Sequence, residues 1–255
     1  MNSGISYKCR GVGPALVFLH GVGGGAESWD TQLAFFGDRF RALAWDMPGY
    51  GGSAAVAPAD FPQWADALAA WLDEIDVERC VLVGHSIGGM IAQQFMTRHA
   101  VRVTRLVLSA TSPAFGRPDG DFQRDFIRSR IGPLDDGKTM SELAALFIPG
   151  LVGPGADPDG IRNAVSTMSR VAPQTYRDAM QALVRFDLRD QLAAISVPTL
   201  LVAGEHDKAA PAKVMERMAE KIPNADYRCV AGGGHLANME RAETFNTILS
   251  DYLDA

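Results

Sequence analysis

Cysteine is scarce in this 255-residue chain. Cys9, Cys80 and Cys229 stand far apart, form no C-x-x-C pair and match no zinc-ligand spacing with the five histidines. An odd, scattered set excludes a disulfide framework and a zinc site. It reads as reduced, mostly buried thiols of a cytoplasmic protein. Membrane-length apolar runs are also missing: segments such as Ala15–Leu19 are strand-sized, far short of a bilayer span. Met1-Asn2-Ser3-Gly4 offers no charged segment ahead of an apolar stretch, so no secretory leader is read there. The net charge is −6, with no basic run and no basic–aromatic interleaving, which argues against a nucleic-acid partner. Oligomeric state leaves no mark in the sequence. The length and ordinary apolar content suit one large α/β domain or two small ones.

The chain first alternates short apolar strands with amphipathic helices. Ala15–Leu19, Arg41–Trp45, Cys80–Val83 and Val103–Ser109 read as strands. Trp64, Leu68, Trp71, Leu72 and Ile75 follow a helical period, with Asp60 as N-cap and Pro62 in the first turn. Fully apolar strands separated by helices predict a mostly parallel sheet covered on both faces. From 113 to 186 the rhythm stops. Helical pieces are expected there at Phe122–Ile131, Met140–Phe147, Gly160–Ser169 and Gln174–Phe186, with a loop at Pro154–Pro158. The rhythm resumes with strands at Thr199–Ala203 and Asp226–Val230 and helices at Ala212–Ile222 and around Glu243–Leu253. The expected organisation is an α/β core of residues 1–112 and 187–255, with 113–186 as an all-helical cap over the sheet's C-terminal edge, where open α/β sheets bind ligands.

Between the strand at Cys80 and the helix from Ile87 lies Gly84-His85-Ser86-Ile87-Gly88. A serine on so sharp a strand-to-helix turn has its hydroxyl pushed outward. The flanking glycines avoid Cβ clashes, and the next N–H lies at a helix N-terminus. The competing reading is a serine N-cap on an ordinary helix. A serine nucleophile needs a base. His85 is adjacent in sequence and points its ring away, His99 ends a helix, and His20 braces a Gly-rich loop. His235, after Gly232-Gly233-Gly234, is the candidate base. The orienting acid is expected after Thr199–Ala203, at Asp207, with Glu205 as rival and an N-cap role as the alternative for Asp207. Two oxyanion donors are expected: the Ile87 N–H, and that of Val22 in His20-Gly21-Val22-Gly23-Gly24-Gly25, with Gly23 second.

Over its whole length the chain resembles the α/β-hydrolase superfamily. The likeness rests on His20-Gly21 after a strand, Asp46-Met47-Pro48-Gly49-Tyr50-Gly51-Gly52-Ser53, Gly84–Gly88, Gly204–Asp207 and Gly234-His235, in that order. Within it, Glu27-Ser28-Trp29-Asp30, Phe186-Asp187-Leu188-Arg189-Asp190 with Ile195-Ser196-Val197-Pro198, and His235-Leu236-Ala237-Asn238-Met239-Glu240 look most like the β-ketoadipate enol-lactonase and carboxylesterase branch. The resemblance implies a cofactor-free, metal-free serine hydrolase of small esters or lactones. Gly23, Trp29, Phe126, Phe147 and Leu236 are then expected substrate contacts. The cap supplies Phe122, Phe126, Ile131, Leu146, Phe147, Ile148, Leu151 and Met168 as lid or core. Arg124, Arg128, Arg130, Arg170 and Arg185 are either surface groups or partners for a substrate carboxylate.

Three other readings compete. A carbon–carbon hydrolase of ring-cleavage products shares the fold, but such enzymes usually carry Trp after the base, where this chain has Leu236. A ligand receptor could keep the triad. An NAD-dependent oxidoreductase would use Gly21-Val22-Gly23-Gly24-Gly25-Ala26 and Asp46 as a dinucleotide fingerprint.

Overall fold

The computed structural model describes residues 3–116 and 120–255. Met1 and Asn2, part of the segment read for a leader, lie outside the described residues. Seven strands form one sheet: β1 (Tyr7–Arg10), β2 (Ala15–Leu19), β3 (Arg41–Trp45), β4 (Cys80–His85), β5 (Val103–Ser109), β6 (Thr199–Gly204) and β7 (Ala225–Val230). Their spatial order is β1-β3-β2-β4-β5-β6-β7. Every pairing is parallel except β1 with β3. The helices are α1 (Asp30–Phe36), α2 (Phe61–Glu74), α3 (Ile87–His99), α4 (Asp121–Asp135), α5 (Met140–Phe147), α6 (Pro158–Ser169), α7 (Pro173–Leu183), α8 (Ala212–Ala219), α9 (Ala237–Glu240) and α10 (Ala242–Asp254).

Successive strand side chains point to opposite faces, and here both faces are covered. Leu16, Phe18, Ala42, Ala44, Leu200 and Val202 pack on one side with Phe36 of α1 and Phe245 and Leu249 of α10. Val17, Leu19, Leu43, Trp45, Leu82 and Leu201 pack on the other with Trp64, Trp71, Phe95 and Met215 of α2, α3 and α8. Burial on both sides is why these strands read as unbroken apolar runs. At the start of α2, the Asp60 carboxylate accepts the Gln63 N–H at 3.0 Å, the expected cap.

The two edge strands behave differently. β1 has no signature in the sequence, because Tyr7-Lys8-Cys9-Arg10 carries no apolar pattern. It pairs on one side only and is mostly exposed. The same geometry corrects the expectation of mostly buried thiols. Cys80 is buried, and burial pushes its thiol up to about 12. Cys9 on β1 and Cys229 on β7 are exposed, because edge strands leave outward positions to solvent.

The chain order reverses between β2 and β4, so the connections after these neighbouring strands diverge and leave a crevice at their C-terminal ends. In-register pairing aligns Leu19 with Gly84, His85 with Ser109 and Gly204 with Val230. The loops that follow therefore emerge along one rim. Helices α4–α7 lie between β5 and β6 in the chain. Their stem is tied where Ala114 bridges Asp187, with Phe115 N–H donating to Phe186 O at 2.9 Å and Leu188 N–H to Pro113 O at 2.8 Å. No helix among the described residues is long and apolar enough to cross a membrane.

Candidate active site

Ser86 joins β4 to α3 with φ 55° and ψ −119°, a left-handed backbone that a non-glycine residue rarely adopts. Its neighbours permit this turn because they lack side chains. A Cβ on Gly84 would lie 2.4 Å from Gly88 O, and one on Gly88 would lie 2.3 Å from Leu19 O. The strained turn is held from outside: the Ser86 N–H donates to Ser109 O at 2.9 Å, and the Thr111 hydroxyl donates to Ser86 O at 2.8 Å. The serine does not cap α3 with its side chain. Its Oγ lies 3.1 Å from His235 Nε2.

His235 arrives from the opposite end of the chain. Its Nδ1 is 2.8 Å from Asp207 Oδ2. The other Asp207 oxygen accepts the Ala209 and Ala210 N–H groups at 2.8 and 2.9 Å, and its side chain is fully enclosed. With Oδ1 occupied by backbone donors, Oδ2 faces the imidazole. The tautomer with hydrogen on Nδ1 then leaves the Nε2 lone pair toward Ser86. Glu205 is exposed and accepts the Gly232 N–H at 2.8 Å, bracing the loop ahead of the histidine rather than touching the ring.

Backbone crowding fixes the His235 loop. A Cβ on Gly204 would stand 2.0 Å from Gly234 O, and one on Gly234 would stand 2.5 Å from Leu151 O. The His235 N–H donates to Leu151 O at 2.6 Å. Glu240 completes the clamp. It is 1% exposed, and its carboxylate accepts the N–H groups of Gly234 (2.9 Å), Leu236 (3.2 Å) and, from the helical insertion, Gly153 (2.6 Å). Burial pushes its carboxyl up from the ordinary value; the three N–H donors and Arg241 oppose that. Glu240 closes the His235–Glu240 motif, whose sequence does not display this role. A carboxylate that ends the four-residue α9 is indistinguishable in sequence from a surface residue until the loop closes over it.

The other histidines have separate places. His20 is buried, with Nδ1 2.8 Å from Gly21 O and Nε2 accepting the Met47 N–H at 2.9 Å. It thus ties the Gly-rich loop to the turn after β3, and burial holds its pKa below the ordinary value. His85 lies 3.5 Å from the Ser109 hydroxyl and packs against His235 with ring centroids 5.1 Å apart. Burial, then the neighbouring His235 and His20, hold it well below the ordinary value. His99 ends α3 and bonds Asp66 at 2.8 Å. The Asp46 carboxylate, the ribose candidate of the dinucleotide reading, accepts the Ala26 N–H at 2.8 Å. It braces the Gly-rich loop, which leads into a short 3₁₀ turn, Ala26–Trp29.

That loop folds over the serine. Gly24 N–H donates to Gly21 O at 3.0 Å, and Gly23 takes φ 77°. A Cβ on Gly21 would stand 3.2 Å from that of Ser86, so the backbone approaches the serine closely. Val22 is half-buried at the cavity wall. Ile87 is the first residue of α3, so its N–H has no acceptor within the helix.

Above the serine is a cavity of about 350 Å³. Gly23, Trp29, Phe126, Phe147 and Leu236 all line it, as do Phe122, Ile148, Leu151 and Met168. Two other expected insertion residues do not: Ile131 is packed in the core, and Leu146 is 55% exposed. Tyr176 and Arg130 line the wall as well. Tyr176 carries no local mark in the sequence that would place it there. Among the described residues, no cluster of three or more His, Cys, Asp or Glu is placed to hold a metal ion.

Comparison with known proteins agrees with this architecture. Residues 16–248 match the model of the alpha/beta hydrolase family. A pimeloyl-[acyl-carrier protein] methyl ester esterase of Vibrio cholerae serotype O1 is 30% identical over 249 residues, covering 96% of each chain. A thermophilic esterase from Thermogutta terrifontis superposes with a TM-score of 0.89 at 26% identity, covering 98% of this chain and 93% of that one. The enol-lactonase from Burkholderia xenovorans LB400 gives 0.88 at 25% identity, covering 98% and 96%.

Proposed function

The chain belongs to the alpha/beta hydrolase family, and on that premise we propose that it is a serine hydrolase of small carboxylic esters or lactones, acting through an acyl-enzyme. The observation that carries this reading is the unbroken relay from Ser86 Oγ through His235 to the enclosed Asp207, opening into an apolar cavity. Relatives described as an esterase and an enol-lactonase support the same chemistry.

Ser86 attacks the carbonyl carbon while His235 Nε2 takes its proton. Asp207 holds the tautomer and stabilises the imidazolium that forms. The developing oxyanion is met by the Val22 and Ile87 N–H groups, the second reinforced by the N-terminus of α3. Imidazolium then protonates the leaving oxygen, and the same nitrogen activates water to release the acid. In this reading residues 113–186 act as a cap that shapes the cavity and shields the acyl-enzyme.

A fluorophosphonate probe, mapped by mass spectrometry, is expected to modify Ser86; a label on another serine would sink the assignment. Bond type is decided by kcat/KM for a phenyl ester, an unsaturated γ-lactone acid and a dienol ring-cleavage acid. The ester or lactone is expected to win. A dienol acid favoured by more than about tenfold, or about 1.4 kcal/mol in the transition state, would replace this reading with carbon–carbon hydrolysis.

A further inference from the structure

The cavity's charge is one-sided. The protein carries a net −6, yet among the described residues the wall contains no Asp or Glu, and its cationic members are Arg130 and the exposed Lys208. Among the described residues, Arg130 also differs from the other arginines of the insertion. Arg124, Arg128, Arg162, Arg170 and Arg177 each pair with a carboxylate, and Arg185 donates to a backbone carbonyl. Arg130 instead lies over two rings, 4.6 Å from the Phe147 centroid and 5.4 Å from that of Phe126, both cavity residues.

That packing has a chemical consequence. A cation–π contact is made by the guanidinium's charge and not through a hydrogen-bond acceptor, so its N–H groups stay available to a carboxylate, which binds them in two-point fashion. Tyr176 stands close enough to feel the charge. Burial raises its hydroxyl to about 12, and Arg130 opposes the rise. In an apolar wall a guanidinium–carboxylate pair is screened less than in water.

We propose that Arg130, seated over the rings of Phe126 and Phe147, is an anion-recognition site, and that the substrate carries a carboxylate remote from the bond that is cleaved. This deepens the ester-hydrolase reading and rests on it. Two pairs of esters test it, each matched in length: one with a carboxylate or a methyl at the far end of the acyl chain, one with the same choice on the alcohol. The native enzyme is expected to favour the charged member of at least one pair by tenfold or more. Arg130→Gln is expected to remove that preference mainly through KM, and Arg130→Lys to keep part of it. A phosphonate in place of the carboxylate separates the two anions; equal or better use of the phosphonate would overturn the carboxylate assignment. A preference that is absent, or identical in the native and Arg130→Gln enzymes, overturns the site. Adipate binding to Ser86→Ala, with and without Arg130→Gln, gives a readout independent of turnover. If no ester is cleaved yet adipate binding still depends on Arg130, the hydrolase reading fails and the anion site stands. Thermal melts of each variant show whether it is folded.

Discussion

The rim of the sheet and the helical insertion are built by different rules. At the rim, position is over-determined. β4 is buried at all six residues, and the glycines around Ser86 and His235 pack backbone on backbone. In the insertion, α4 buries only Gln123 and Ile131 of its fifteen residues, and Phe122 is 64% exposed. A reaction needs groups held within a fraction of an ångström, which a crowded sheet edge supplies. A substrate wall needs apolar surface, which a sparsely anchored helix such as α4 supplies and can vary. On the proposed reading, chemistry and selectivity are therefore separable, and one joint between them is where Leu151–Gly153 touches the His235 loop.

The largest expected effect is at the rim. Ser86→Ala should cut ester turnover by about 10⁴-fold or more, leaving only binding and oxyanion stabilisation. Circular dichroism should show the fold intact. Near-normal turnover would end the comparison, since the rim would then not be where the reaction occurs. Asp207→Asn should cost on the order of 10³- to 10⁴-fold by disfavouring the needed tautomer. Glu205→Gln, which touches only the Gly232 N–H, should cost little; the reverse ranking would move the acid to Glu205.

Glu240→Gln probes the joint between the regions. An amide can accept at one oxygen only and turns its NH₂ toward a backbone donor. A loss on the order of 3 kcal/mol of stability is expected, as for a buried, charge-accepting network left partly unpaired. Unfolding in urea measures it. An unchanged midpoint would mean that the loop is held by its glycines alone. In the insertion, Phe126→Ala or Phe147→Ala should reorder substrates by about tenfold while turnover persists. A single insertion residue whose loss silences every substrate in a folded protein would erase the division of labour.

The smallest effect concerns pH. His20 and His85 are both held below their ordinary 6.5 by burial. Between the folded and unfolded pKa values the unfolded chain binds more protons, so stability rises with pH there. The stabilisation is complete above 6.5 and is lost as pH falls toward the folded values. Tm measured from pH 8 to 5 should therefore drop below 6.5, and less steeply in His85→Gln. A Tm that rises on acidification would contradict the buried, neutral state of these rings.

Features that depend on periodicity and local sterics are written in the residues themselves. β2, β3, β5, α3 and α5 fall at the residues their patterns indicated, because strands buried on both faces and helices with one apolar face leave unambiguous marks. The Ser86 turn was legible because its glycines are required locally, by clashes within one strand–turn–helix unit. Other features arise only when distant segments pack together. β1 pairs through backbone groups that any side chains allow. Glu240 becomes an anchor only when three amides from two distant segments converge on it. The choice of Asp207 over Glu205 turns on which carboxylate the Ala209 and Ala210 amides orient toward His235. Arg130 differs from its neighbours in no way a sequence displays; the turn of α4 and the placement of two phenylalanines set it in the cavity wall. Contacts between residues far apart in the chain are fixed by packing, and packing has no local signature.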